Sequence, residues 1–163
     1  MGTLPGMYAH ILVALDGSAN AEQILPYVES LAERFSSKVT LIQVTTSAEA
    51  IMVSTANTAT LADTMPTIDP YPIAQAEAEA VGSYLAKLTD RLRQNGLNVE
   101  HEQPDGPAAE TLLARARDLK VDLIAMTTHG RTGLRRVVLG STAESVMTRA
   151  ECPLLVLRVS GND

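Results

Sequence analysis

Five runs of strand length recur along this chain, and segments with helical apolar spacing fall between them. The runs are Tyr8–Leu15, Lys38–Thr45, Leu97–Gln103, Val121–Thr127 and Pro153–Val159. The first is continuously apolar and branched, which suits a strand buried on both faces. The third alternates apolar and polar residues, which places it at a sheet edge. Between the first two runs, Ile24, Leu25, Val28, Leu31, Ala32 and Phe35 mark one face of a helix. Pro26 interrupts its early turns, so a bend or a later start is expected there. A second helical stripe runs through Ile73, Glu77, Val81, Tyr84, Leu85, Leu88 and Leu92, with Asn95-Gly96 as its stop. A third follows Gly106-Pro107 through Leu112, Leu113, Ala116 and Leu119, and a short fourth reaches about Ala150.

Strand and helix alternate throughout, so the expected fold is a single-domain, doubly wound α/β structure, Rossmann-like. Its five-stranded, mainly parallel sheet takes the expected order 3-2-1-4-5, with helices on both faces. Residues 1–6 read as a disordered leader, 7–159 as the domain and 160–163 as a tail. Residues 46–72 are rich in Thr, Ser and Ala, contain Pro66, Pro70 and Pro72, and lack periodicity. They read as a mobile loop within the domain.

A net charge of −6 argues against a nucleic-acid-binding surface. No apolar run approaches the ~18 residues of a membrane span, and no signal peptide is evident, so a cytoplasmic location is expected. Cys152 is the only cysteine, which excludes an intramolecular disulfide.

The stretch Thr127–Thr142 is where chemistry concentrates. It carries Gly130, Gly133 and Gly140, three arginines at 131, 135 and 136, and Ser141 where a helix should begin. A strand, a basic glycine-bearing loop and a helix N-terminus together form an anion site, because free backbone N–H groups and the helix dipole converge there. It is not a P-loop, since the G-x-x-x-x-G-K-[ST] order is absent. Ser141-Thr142-Ala143-Glu144 also reads as a capping box, a role compatible with phosphate binding. If strands one and four are neighbours, Asp16-Gly17-Ser18 meets this stretch at one crevice. Asp16 could then accept ribose hydroxyls, or serve only as a turn residue. His129 reads as a structural hydrogen-bonder, and no nucleophile–base pair converges on the loop, so catalysis is not expected beyond slow ATP hydrolysis.

Ile11–Ser18, Thr128–Gly133, Gly140-Ser141 and Cys152–Leu157 together resemble the universal stress protein family over nearly the whole chain. Nucleotide-binding members carry a motif G-2x-G-9x-G-[ST]. Gly130, Gly140 and Ser141 match its second half, and Thr127 replaces its first glycine. The resemblance implies ATP as ligand, with Mg²⁺ or Mn²⁺ bridging the phosphates. It places Asp16 at the ribose, the Val44 backbone at the adenine edge and Thr127 beside the ribose. The backbones of Gly130, Arg131, Gly140, Ser141 and Thr142 would cradle the phosphates. It also implies a stress-response sensor or regulator that dimerises through its last strand, Pro153–Arg158, with a downstream protein partner that the sequence does not name. Thr127 keeps a second possibility open, a dimeric interaction protein of the same fold that has lost nucleotide binding. A slow ATPase is the third.

Overall fold

The branched run at the N-terminus folds as β1 (His10–Ala14), shorter than the apolar stretch because Tyr8 adopts a left-handed φ of 56° and packs edge-on against Phe35. This computed structural model describes residues 7–47, 69–130 and 140–160. The expected leader 1–6, most of the expected loop (48–68), and residues 131–139 and 161–163 lie outside the described residues.

After β1, Gly17 turns the chain at φ 78°, and Ser18 caps the next helix by accepting from the Ala21 N–H at 3.0 Å. The helix expected up to Phe35 is divided by Pro26, as that residue requires. A single turn, α1 (Ala19–Glu22), precedes α2 (Leu25–Phe35), whose first turn contains Pro26. Next come β2 (Lys38–Ile42), α3 (Pro70–Gln94), β3 (Asn98–Glu102), α4 (Ala108–Asp118), β4 (Leu123–Gly130), α5 (Ser141–Arg149) and β5 (Leu154–Ser160).

The sheet is parallel throughout, in the order β3-β2-β1-β4-β5, as expected. One face carries Ile11, Val13, Val39, Leu41, Leu123 and Ala125 against α1, α2 and α3. The other carries Leu12, Ile42, Ile124 and Met126 against α4 and α5. Side chains of successive strand residues point to opposite faces, which is why the apolar runs are continuous rather than alternating. β3 is an edge strand with mixed exposure, as its alternation implied.

Several boundaries differ from the sequence reading. Helix α3 begins at Pro70, so residues 70–72 belong to a helix rather than to the 46–72 loop. Asp69 accepts from the Tyr71 N–H at 3.0 Å, and a proline in the first turn forfeits no helical bond. β4 continues three residues past Thr127, because β5 extends alongside it and pairs Thr127 with Leu157 and Gly130 with Ser160. Thr127 therefore lies inside the strand and not at its end, and Ser160 is not tail. β2 stops at Ile42, which leaves Val44 in the following loop, just before an isolated bridge between Thr45 and Asp105.

Helix α3 is longer than the strands beside it. Gln103, one residue beyond β3, donates from Nε2 to the Ala78 carbonyl at 2.8 Å, which places the strand ends at about that turn. The roughly two turns before it, about 11 Å at 5.4 Å per turn, stand beyond the sheet. No residue from Tyr71 to Ala80 is buried.

Candidate functional site

Chain from β1 runs into α1 and α2 on one face of the sheet, and chain from β4 leads to α5 on the other. β1 and β4 are neighbours, so their connections part at the carboxyl ends of the strands and leave a crevice. This is the topological switch point at which open α/β sheets take ligands. A cleft of about 360 Å³ lies there, within the range of small-molecule sites.

Its walls come from every element that ends nearby. Ala14, Leu15, Ile42, Leu112, Met126 and Ala143 give it an apolar lining. Of the residues singled out in the sequence, Asp16, Val44, Thr127, Gly140 and Thr142 line it. Gly130 ends β4, Ser141 is the first residue of α5 and is exposed, and Arg131 lies outside the described residues. The sequence reading missed Gln43, Glu77 and Thr128, which also line the cleft.

Asp16 does act as a turn residue: its Oδ1 accepts from the Ser18 N–H at 2.9 Å. A carboxylate has about four lone-pair sites, so this bond leaves capacity for other donors.

The start of α5 departs from the expected capping box. Gly140 is the N-cap residue, no side chain caps the helix, and the first helical bond runs from the Glu144 N–H to the Gly140 carbonyl at 2.9 Å. Ser141 sits one position inside the helix, where its hydroxyl is no longer placed to cap. The N–H groups of Ser141, Thr142 and Ala143 thus have no partner within the helix. A nine-residue helix presents an uncapped, electropositive end at the cleft, with Gly140 and Thr142 in the wall.

The charged side chains of the wall have the opposite character. Asp16 on the β1 turn and Glu77 on α3 are carboxylates, and among the described residues the wall contains no Lys, Arg or His. Burial, reinforced by the charges of Glu22 and Asp16, pushes the Tyr84 phenol above its ordinary value of 10. Tyr84 therefore remains a neutral hydroxyl beside these carboxylates.

Two polar atoms of the wall, Gln43 Oε1 and Thr128 Oγ1, are buried without a hydrogen-bond partner among the described residues. Thr128 is 5% exposed. An unsatisfied buried group costs about 1–3 kcal/mol, so two in one cleft mark places where a ligand or water completes the bonding. Among the described residues no group of three metal-ligating side chains exists.

Comparison with known proteins agrees with this architecture. The family model described as "Universal stress protein family" matches residues 7–158. The universal stress protein MJ0531 of Methanocaldococcus jannaschii is 28% identical over 152 residues, covering 93% of this chain and 83% of its own length. The universal stress protein YxiE of Bacillus subtilis is 26% identical over 93% of this chain and 100% of its own length. Among solved structures, the M. jannaschii protein MJ0577 superposes with a TM-score of 0.73 at 25% identity, covering 96% of this chain and 99% of that one. The family match spans both the strands that build the cleft and the helix that closes it, and this chain belongs to the universal stress protein family.

Proposed function

We propose that this protein binds ATP in the switch-point cleft and acts as a stress-response sensor or regulator. The observation that carries this reading is the polarity of the cleft. The wall offers the uncapped start of α5, with Gly140 and Thr142 lining the cleft, and separately the Asp16 and Glu77 carboxylates. A nucleotide has the matching polarity, with anionic phosphates at one end and hydroxyl and amino donors at the other. The phosphates then meet the amides of α5 together with the backbone of Gly130 and Arg131. Asp16 accepts from the ribose hydroxyls, with Thr127 alongside, and the base lies toward the Val44 backbone. Mg²⁺ or Mn²⁺ would ride on the phosphates.

Two proteins of this fold support the reading: a universal stress protein solved in complex with cAMP, TM-score 0.63 at 18% identity, and one from Archaeoglobus fulgidus solved with dAMP, TM-score 0.60 at 17% identity. At those identities the likeness carries the fold, and the chemistry of the cleft carries the assignment.

Protein purified without added nucleotide, heat-denatured and resolved by anion exchange, is expected to release adenine nucleotide. An empty supernatant, together with an unchanged melting temperature in millimolar ATP–Mg²⁺, would refute the reading and leave the interaction-protein alternative.

Among the described residues β5 pairs on one side only, with β4, and Leu154, Leu155, Val156 and Leu157 are each only half-buried. An apolar edge of this kind is covered in stable proteins. A second copy, joined through Pro153–Arg158, covers it in this proposal. Light scattering after size exclusion should give twice the chain mass, and a monomer at micromolar concentration would rule the dimer out.

A further inference from the structure

We infer that the β2 end of this cleft selects the 6-amino group of adenine, through the Glu77 carboxylate and the side-chain carbonyl of Gln43. The inference rests on the nucleotide reading above and adds to it the choice of base. Both residues line the cleft. Gln43 directly follows β2, and Glu77 lies on α3, which packs over β2 and β3. Val81, Leu85, Leu88 and Leu92 give α3 its core-facing stripe, and Glu77 sits one turn further along that stripe, where the helix leaves the sheet.

Gln43 Oε1 is buried and has no partner among the described residues. The Gly17 turn lies against the same amide, since a Cβ at Gly17 would stand 3.4 Å from Gln43 Nε2. A buried acceptor without a donor marks where a donor must arrive. An ionised carboxylate only accepts, so Glu77 adds a second acceptor to the same cleft wall. The 6-position of adenine carries an amino group with two N–H donors, one for each acceptor. Hypoxanthine and guanine carry a carbonyl oxygen there. That oxygen would face a carboxylate, and the single N1–H donor beside it can satisfy only one of the two acceptors. A site built to bond a ligand's donor rejects an analogue lacking it far more strongly than an apolar pocket does.

ATP and inosine 5′-triphosphate differ at the 6-position and at N1, an acceptor in adenine and an N–H donor in hypoxanthine, so together they probe this edge of the base. Their dissociation constants can be measured by titration calorimetry with Mg²⁺ on the wild-type protein, Glu77→Gln and Gln43→Leu. Wild-type protein is expected to hold ATP at least about thirtyfold more tightly than the inosine nucleotide. Glu77→Gln supplies an amide that can donate to a carbonyl, and is expected to bring the two within about threefold of each other. Gln43→Leu is expected to weaken ATP about tenfold and to change the inosine nucleotide by less than about threefold. Glu77 is exposed, so its exchange leaves the fold intact, and the unliganded melting temperature controls for Gln43→Leu. Equal wild-type affinities, or an unchanged ratio in Glu77→Gln, overturn base selection and leave the nucleotide reading standing. Failure of both nucleotides to bind overturns the nucleotide reading itself, and base selection with it.

Discussion

Replacing Gly140 with valine is expected to abolish the rise in melting temperature that ATP–Mg²⁺ produces, while the unliganded protein stays folded. Gly140 has φ −59° and ψ 148°, a conformation open to any residue. A Cβ built on it meets nothing within 4 Å. The fold therefore does not require glycine at this position, and a ligand approaching the amides of α5 does. Valine is a poorer helix N-cap than glycine, so the unliganded protein loses at most about 1 kcal/mol. The liganded wild type gains about 2.7 kcal/mol at 100 times the dissociation constant, or about 5–10 °C in melting temperature for a chain of this size. Thermal melts with and without ATP–Mg²⁺ read both quantities. A full ligand-induced rise in Gly140→Val would show that the phosphates do not lie at the start of α5.

The second large effect separates the two halves of α3. Leu85 is fully buried, in the core between the sheet and the α2 side. Leu85→Ala is expected to lower stability by about 2–5 kcal/mol, through lost burial and the cavity left behind. Ile73, three turns earlier on the same helix, is 52% exposed. Ile73→Ala is expected to change stability by no more than about 0.5 kcal/mol. Urea unfolding monitored by circular dichroism measures both. Comparable losses in the two variants would mean that the first turns of α3 are packed, contrary to the geometry described above.

The architecture was legible in the sequence because each strand buried on both faces must be apolar along its whole length. Each helix, by contrast, must be apolar along one stripe only. Those two periods fix the element order, and right-handed crossovers do most of the rest. The site was legible where local chemistry wrote it: Asp16-Gly17-Ser18 is a turn and a cap, and Gly140-Ser141 opens a helix. Which of those two residues caps the helix was not legible, since glycine and serine both occupy N-caps. The true end of β4 was also hidden, because Thr127–Gly130 carries no apolar signal and is held by pairing with β5. Gln43 and Thr128 matter through what they lack, a hydrogen-bond partner, and that emerges only when the chain is folded. Glu77 did leave a trace: a carboxylate stood on an otherwise apolar stripe, at the position where the helix passes from core to cleft.

The two walls of the cleft answer to different constraints. β1, β4 and α5 carry residues of the two cores, so the end of the cleft they form cannot change without consequence for folding. The first turns of α3 contribute nothing to either core between Tyr71 and Ala80, yet they supply Glu77. Substitutions in those turns are expected to be nearly neutral for stability. If Glu77 reads the base as proposed, selectivity for the base is separable from the grip on phosphate, and α3 is where a designer would alter one without disturbing the other.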